Sequence, residues 1–203
     1  IVTSSLAGCR IKSKKIKILG QGIDTELFKY NPNATNKYPN ITNILYAARL
    51  VPVKGHRILI EAVDILVNRK NIKNLKVRIM GTPFLGSQKE YLEQLKKKVR
   101  DFNLDEYIEF LPGVSYFAMP EYYQWADLFV NPSSTGSLDK VVLEAMASGC
   151  LVLTCNEAYA DILDGKYLFL KKDPDDLAKK IVNLMNAPRD KGLREIVVKN
   201  HNL

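Results

Sequence analysis

The sequence predicts an α/β fold, a Rossmann-like parallel sheet with helices on both faces, for three reasons. Short apolar segments typical of buried strands alternate with segments that have the periodicity of amphipathic helices. Such alternation favours right-handed β–α–β units and a parallel sheet. The chain has 203 residues, 46% hydrophobic and 26% charged, and can therefore bury a core without disulfides or metals. This composition excludes a disordered chain and a collagen-like fibre.

The first half of the chain contains strand and helix candidates in regular order. The predicted elements are strands over 16–19, 44–48, 75–80 and 107–111 and helices over 55–68 and 89–101. A polar loop with two prolines is predicted over 31–40. The strand over 75–80 alternates apolar residues with lysine and arginine, which indicates a position near an edge of the sheet.

The second half of the chain continues this alternation of predicted strands and helices. The predicted elements are strands over 127–131, 151–154 and 167–170 and helices over 119–126, 138–148, 173–186 and from 190 onward. Gly149 predicts the end of the third-to-last helix. The next helix has a clear start, because Asp173 suits the N-cap and Pro174 suits the first helical position.

The net charge narrows the choice of partner. Thirty Lys and Arg against 22 Asp and Glu leave +8, which favours an anionic partner such as nucleic acid, a phosphorylated small molecule or an acidic membrane surface. The basic clusters lie over 10–17 and 96–100, and a solvated surface is the alternative reading of both. Aromatic residues do not alternate with these bases, so no nucleic acid partner is predicted. A peripheral membrane contact stays open.

Cysteine usage and hydropathy indicate the compartment. Cys9, Cys150 and Cys155 form neither a CxxC pair nor a zinc spacing, which favours a reducing cytosol and argues against a zinc site or a full set of disulfides. No apolar run approaches the roughly 18–20 residues of a membrane span, and the first residues are too charged for a signal peptide. A cytoplasmic location is predicted, with the membrane contact at its cytoplasmic face.

The loop over 48–55 is the first candidate ligand site. In parallel sheets of this type, ligands bind beyond the carboxyl ends of the strands. Arg49 follows a predicted strand, and Lys54 directly precedes a predicted helix. Two cations near a helix N-terminus suit a phosphate or diphosphate, although two unrelated surface cations are the alternative.

Two further signals come from residues 131–147. The loop over 131–137 consists of small residues, which let backbone N–H groups approach an anion or a sugar hydroxyl; Gly136 and the hydroxyls could equally form only a helix N-cap. Glu144 is the single polar residue in the segment 141–147. A buried carboxylate needs a partner, which is either Lys140 one helical turn earlier or the hydroxyls of a ligand.

Four segments together resemble the C-terminal half of family-4 glycosyltransferases of the GT-B architecture, the glycosyl transferases group 1. They are Gly22-Ile23-Asp24-Thr25-Glu26-Leu27-Phe28, Ala48-Arg49-Leu50-Val51-Pro52-Val53-Lys54-Gly55, Asn131-Pro132-Ser133 and Leu143-Glu144-Ala145-Met146-Ala147-Ser148-Gly149. The resemblance runs from about residue 16 to the C-terminus. It implies a nucleotide-sugar donor site and a retaining transferase that needs no metal.

The resemblance also implies roles for individual residues. Arg49 and Lys54 match the catalytic positions that neutralise the donor diphosphate and stabilise the leaving group. Glu144 matches the second Glu of the Glu-x7-Glu motif, which holds the ribose. The remaining implied donor contacts are Gly113 and Val114 at the base and Gly136, Ser137, Leu138 and Asp139 in the small-residue loop.

One position departs from the family pattern. Gly136 stands where the first Glu of the motif is expected to contact the transferred sugar, eight residues before Glu144. The nearest acid is Asp139. Sugar handling is therefore expected to differ from that of members with the complete motif.

The resemblance implies a domain division. Residues 1–38 correspond to the end of an N-terminal domain and a linker, and residues 39–203 to the donor-binding domain, cut short at its C-terminus. The missing domain would bind the acceptor, a glycan or lipid-linked molecule, so this piece is expected to bind without catalysing. Two alternatives are a sugar-nucleotide 2-epimerase of GT-B fold and a non-catalytic basic module for membranes or nucleic acid.

Overall fold

A five-stranded parallel sheet forms the centre of the computed structural model, which describes residues 1–5, 7, 9, 11, 13–31 and 40–203. The strands are, in chain order, β1 (Val2–Thr3), β2 (Lys17–Ile18), β3 (Thr42–Ala47), β4 (Leu75–Met80), β5 (Ile108–Leu111), β6 (Leu128–Asn131) and β7 (Leu151–Thr154). The large sheet has the order β5-β4-β3-β6-β7, and β1 pairs with β2 in a separate small sheet. The predicted fold class is confirmed.

Helices flank the large sheet. They are α1 (His56–Asp64), α2 (Gly86–Asp101), α3 (Met119–Trp125), α4 (Lys140–Ala147), α5 (Pro174–Leu184) and α6 (Lys191–Asn200). The first continues as a π-helical segment over Ile65–Arg69. α1 packs against α5, and α4 packs against α6. The predicted cap of α5 is present, because the Asp173 side chain accepts a hydrogen bond from the backbone N–H of Asp176.

The strand order places a topological switch point between β3 and β6. The chain runs from β3 outward through β4 to β5, and then returns to the other side of β3 to form β6 and β7. Ile44 pairs with Leu128, and Leu45 pairs with Phe129, in this central ladder. Every residue of β3 and β6 is buried. Ligands of open α/β sheets bind where two such loops diverge, beyond the carboxyl ends of the strands.

Three predicted boundaries differ from the structure. The predicted strand over 167–170 is wrong: Gly165–Tyr167 form a 3-10 turn, and only Leu168 makes a bridge, to Thr154. α4 begins at Lys140 because the loop after β6 extends as far as its N-cap, Asp139. α2 begins three residues earlier than predicted, at Gly86.

Parts of two predictions fall outside the described residues. They are the polar loop over 32–39 and the bases Arg10 and Lys12. The division at residues 38 and 39 falls there as well and stays a prediction. In the described part of the chain, no helix is both long enough and apolar enough to span a bilayer.

The segment over 23–28 packs against the C-terminal residues of the chain. The backbone N–H of Ile23 donates to the carbonyl of His201 at 2.7 Å, and that of Leu203 donates back to Ile23 at 3.1 Å. The Arg194 guanidinium on α6 donates to the carbonyls of Thr25 and Phe28 at 3.2 and 3.0 Å. Residues 23–28 are therefore anchored to the C-terminal helix.

Candidate functional site

Two loops meet at the carboxyl ends of β3 and β6. Gly55 has φ +73°, and a Cβ atom there would lie 2.3 Å from the carbonyl oxygen of Pro132. Only glycine fits this conformation and this close approach without strain. The backbone N–H of Ser134 also donates to the carbonyl of Val53 at 3.4 Å. The loop before α1 consequently lies directly against the loop after β6.

Lys54 reaches across this contact. Its Nζ lies 2.7 Å from Oδ1 of Asp139 and 3.1 Å from Oγ of Ser133. The side chains of Lys54 and Asp139 are each only 12% exposed. The hydroxyl of Tyr46, on β3, donates a hydrogen bond to the backbone carbonyl of Lys54. The predicted phosphate cation is thus held at both its backbone and its ammonium group.

Asp139 has both carboxylate oxygens occupied by neighbouring side chains. Besides Lys54 at Oδ1, its Oδ2 accepts hydrogen bonds from the Nδ2 groups of Asn131 at 3.1 Å and Asn156 at 3.3 Å. The Tyr159 hydroxyl donates to its carbonyl at 2.6 Å. A carboxylate at the N-terminus of α4 is also favoured by the helix dipole. The structure therefore directs this acid toward Lys54, and its predicted contact with the donor stays a prediction.

Arg49 leaves the end of β3 with an exposed side chain. It makes no ion pair or side-chain hydrogen bond with any residue that the structure describes. Its carbonyl accepts a hydrogen bond from the backbone N–H of Val51 at 2.9 Å, which fixes the turn. The two predicted cations consequently differ, because Lys54 is neutralised and Arg49 is not.

The small-residue loop presents a line of hydroxyl groups. Ser133 Oγ lies 3.2 Å from Thr135 Oγ1, which lies 3.4 Å from Ser137 Oγ. Gly136 is buried with φ +73°, and its carbonyl accepts a hydrogen bond from Ser5 Oγ at 3.1 Å. Asn156 Nδ2 donates to the Ser137 carbonyl at 2.6 Å. This loop is therefore fixed from both sides.

Leu138 completes the predicted donor loop. Its side chain is buried, and it lines a cavity of about 490 Å³ together with Ser5 and Glu157. The cavity lies between the N-terminal segment and the loop after β7. Gly136 is not the N-cap of α4, because Asp139 occupies that position. The Asp139 side chain makes no capping hydrogen bond to a backbone N–H group. The alternative in which this loop is only a helix N-cap is therefore not met at Gly136.

Glu144 is buried on α4, with 5% of its surface exposed. Its partner is Tyr123 on α3, whose hydroxyl donates to Oε2 at 2.9 Å. Lys140 forms no ion pair with it in the described structure, so the alternative of a local ion pair is not met. Burial raises the pKa of Glu144, while the Tyr123 hydrogen bond and the Lys140 charge lower it.

Gly113 and Val114 lie in the loop after β5. The backbone N–H of Gly113 donates to Thr82 Oγ1 at 2.8 Å, which ties this loop to the loop after β4. Tyr116 follows, and its ring packs edge-on against the ring of Phe28, with the two ring centroids 5.1 Å apart. Burial, followed by the Glu144 charge, raises the pKa of Tyr116. The loop predicted to contact a base is therefore fixed through Thr82, and the residues after it pack against Phe28 through Tyr116.

His56 supports the Lys54 turn from inside. The side chain is fully buried between the rings of Tyr46 and Tyr91, at centroid distances of 4.9 and 5.8 Å. Neither ring nitrogen has a hydrogen-bond partner among the described residues. Burial and the Lys54 charge lower the pKa of His56 to about 4, so the imidazole is neutral at pH 7.

The sequence reasoning missed the residues that orient the candidate site. Asn131, Asn156, Tyr123 and Tyr159 all donate to Asp139 or Glu144. The two asparagines carried a signal, because each lies at or just beyond the carboxyl end of a predicted strand. Among the described residues, no group of three or more His, Cys, Asp or Glu side chains could hold a metal ion.

Comparison with known proteins gives a family match. The sequence profile described as glycosyl transferases group 1 matches residues 41–187. A D-inositol 3-phosphate glycosyltransferase of Pseudarthrobacter chlorophenolicus is 30% identical over 144 residues, covering 68% of this chain and 33% of the relative. The chain thus spans about a third of the length of that relative.

Two solved structures share the fold. Anabaena HepE, in complex with UDP and glucose, superposes with a TM-score of 0.85 at 18% identity, over 99% of this chain and 59% of HepE. The C-terminal domain of a glycosyl transferase group 1 family protein (LpcC) from Francisella tularensis superposes with a TM-score of 0.68 at 25% identity. That match covers 88% of this chain and 94% of the other.

Proposed function

Because this chain belongs to the glycosyl transferases group 1 family, we propose that it is the donor-binding domain of a retaining family-4 enzyme. In this proposal it binds a nucleoside-diphosphate sugar and stabilises the diphosphate that leaves during sugar transfer. Residues 39–203 form the donor-binding domain, and residues 1–38 belong to the end of an N-terminal domain and its linker. The acceptor, a glycan or lipid-linked molecule, binds to the part of the enzyme that precedes this segment.

The observation that carries the proposal is the cluster at the switch point. A fixed ammonium and a line of hydroxyls meet beside the N-terminus of α1, where Gly55 brings two loops into contact, and the exposed Arg49 belongs to the same loop as Lys54. A diphosphate needs this combination, because its charge requires cations and its oxygens require directed donors. The complex of HepE with UDP supports a nucleoside diphosphate as the ligand class.

The proposed chemistry follows from where charge develops. When the glycosidic bond to the donor breaks, negative charge builds on the departing diphosphate, and Arg49 and Lys54 stabilise it there. Lys54 is held in place before the reaction, so little reorganisation of its ammonium group is needed. Glu144 accepts hydrogen bonds from the ribose, and the backbone at Gly113 and Val114 contacts the base. No cofactor or metal takes part in this scheme.

The proposal is tested by titrating the chain with UDP, GDP and ADP in a calorimeter and in thermal unfolding. One of these nucleotides should bind and raise the unfolding temperature by mass action. Lys54→Ala should cost roughly 1–3 kcal/mol of binding free energy, as the loss of a charge-assisted hydrogen bond does. Lys73→Ala is the matched control, since Lys73 is exposed and precedes β4, at the amino ends of the strands and away from the candidate site.

Two results would count against the donor-binding role. The first is no binding of any nucleotide, and the second is equal affinity for Lys54→Ala and the wild type. The family match and the curated relatives do not favour the epimerase or the non-catalytic basic module. In the intact enzyme, a labelled donor that releases a 2-epimer without any acceptor would revive the epimerase. The cytoplasmic location and the membrane contact stay predictions.

A further inference from the structure

We propose that Asp139 is a positioning residue that fixes and neutralises Lys54, so that Lys54 gives the diphosphate one directed hydrogen bond while Arg49 supplies the net positive charge. This division of roles rests on the proposed function of the same site. It concerns how the site attracts and orients its ligand, and it assigns Asp139 a role through Lys54 in place of a contact with sugar.

The hydrogen-bonding capacity of Lys54 is almost used up within the chain. An ammonium group has three N–H donors. One is directed at Asp139 Oδ1 at 2.7 Å and a second at Ser133 Oγ at 3.1 Å. Since the side chain is only 12% exposed, the third donor has a restricted direction. Lys54 can therefore offer a single hydrogen bond to an incoming oxygen.

Asp139 is held rigidly enough to impose that direction. Two asparagines, from the end of β6 and the residues after β7, hold its second oxygen, and the Tyr159 hydroxyl holds its carbonyl. The partners come from two neighbouring strands and from the 3-10 turn after β7. A carboxylate fixed in this way pre-organises the lysine and reduces the entropy lost when a ligand binds.

The charges at the site then have separate roles. Lys54 and Asp139 together sum to zero, so the pair exerts little attraction over a distance. Arg49 is exposed and has no carboxylate partner among the described residues. Long-range attraction for a diphosphate, which salt screens, should come chiefly from Arg49. The short directed bond from Lys54 should respond little to salt.

The first test compares salt dependence. UDP, GDP and ADP are titrated into the wild type, Arg49→Ala and Lys54→Ala at about 0.05 M and about 0.5 M NaCl. Arg49→Ala should weaken binding roughly fivefold at low salt and clearly less at high salt, because screening already removes its contribution. Lys54→Ala leaves Asp139 uncompensated and should weaken binding more at low salt than at high salt. The double variant Lys54→Ala/Asp139→Asn keeps the net charge and should weaken binding roughly tenfold at both concentrations.

The second test removes the charge of Asp139. Asp139→Asn should steepen the salt dependence, because Lys54 becomes an uncompensated cation, and should weaken binding roughly fivefold at high salt. In a Lys54→Ala background at high salt, the same substitution should change affinity by less than about twofold, since screening removes the repulsion of the bare carboxylate and Asp139 acts through Lys54. Asp105→Asn, an equal change of charge on an exposed residue before β5, is the control.

The outcomes separate the two proposals. Additive effects of Asp139→Asn and Lys54→Ala at high salt, or a salt dependence that the double variant removes and Arg49→Ala leaves intact, would overturn the role of Asp139 alone. No nucleotide binding by the wild type would overturn both proposals. Thermal unfolding of each variant identifies loss of fold. If Asp139→Asn does not fold, Arg49→Ala still decides the division of charge, because it should remove the salt dependence of binding, and a salt dependence that persists in it would overturn the role of Arg49.

Discussion

The hydroxyl of Tyr123 lies 2.9 Å from Oε2 of Glu144, and both side chains are buried between α3 and α4. Tyr123→Phe should therefore leave the carboxylate without its donor and reduce the free energy of unfolding by about 1–3 kcal/mol. Urea unfolding at pH 7 measures the change. Tyr122→Phe on the same helix removes a hydroxyl that has no partner among the described residues, and it should leave stability nearly unchanged. Equal effects of the two variants would contradict the assignment.

The raised pKa of Glu144 makes a prediction about pH. Burial makes the pKa of the Glu144 carboxyl higher in the folded chain than its ordinary value of 4.5. Its contribution to folding stability is therefore complete below pH 4.5 and is lost as the pH rises through the folded-state pKa. The wild type should consequently lose stability relative to Glu144→Gln as the pH rises from about 4 to 7. Unfolding of both proteins across this range tests the sign, and an opposite trend would show that hydrogen bonding outweighs burial.

The same substitution should separate stability from binding. Glu144→Gln keeps an acceptor for Tyr123 but loses the charge that the proposed ribose contact uses. We expect nucleotide affinity to fall roughly tenfold, because a charged acceptor forms stronger hydrogen bonds than an amide. Calorimetric titration with the nucleotide that binds the wild type measures the loss, and unchanged affinity would argue against the ribose role.

The contact between the two central loops depends on Gly55. Gly55→Ala would place a Cβ atom 2.3 Å from the Pro132 carbonyl in a backbone with φ +73°, so both clash and strain oppose it. We expect a loss of roughly 2 kcal/mol or more in stability together with weaker nucleotide binding. Gly86→Ala is the matched control, since nothing lies within 4 Å of its Cβ position and Gly86 begins α2. That control should be neutral or slightly stabilising.

The sequence predicted the strands of the large sheet well because their burial leaves a direct trace. β3 and β6 are buried at every residue, and each reads as a short apolar run between turn residues. The wrong strand over 167–170 has a similar composition, but Leu168 is its single bridging residue. Composition indicates that a segment is apolar, and it does not indicate how many of its residues pair with a neighbouring strand.

The candidate site was only partly predictable for a related reason. Loop signals identified Arg49, Lys54 and Glu144 one at a time, from charge and position next to predicted strands and helices. Lys54 and Asp139 lie 85 residues apart, and their pairing depends on β6 lying beside β3. Strand order follows from tertiary packing, so a single sequence could not show which acid would neutralise which cation.

The three cysteines should differ in reactivity. Burial raises the pKa of Cys150 to about 12 and that of Cys155 to about 11, whereas Cys9 is partly exposed. Because the thiolate is the nucleophile, Cys150 and Cys155 should stay unmodified in the folded chain. Titration with a disulfide reagent at about pH 8 should therefore detect one reactive thiol in the wild type and none in Cys9→Ser. Two or more fast-reacting thiols would indicate that the core opens.

Restoring the missing motif acid should fail at Gly136. This residue has φ +73°, and a Cβ atom there would lie 3.2 Å from both the Ala7 carbonyl and Oε1 of Glu157. Gly136→Glu therefore meets backbone strain, crowding and a second carboxylate together, and we expect it to lower the free energy of unfolding by roughly 1–3 kcal/mol.

The role of Glu157 in that cost can be isolated. Adding Glu157→Gln removes the like charge and should recover part of the loss, although the strain at Gly136 persists. Gly165→Glu, with nothing within 4 Å of its Cβ position, provides an exposed control for the added acid. Gly136→Glu with wild-type stability would show that this loop can rearrange, and an unchanged loss after Glu157→Gln would assign the whole cost to the backbone.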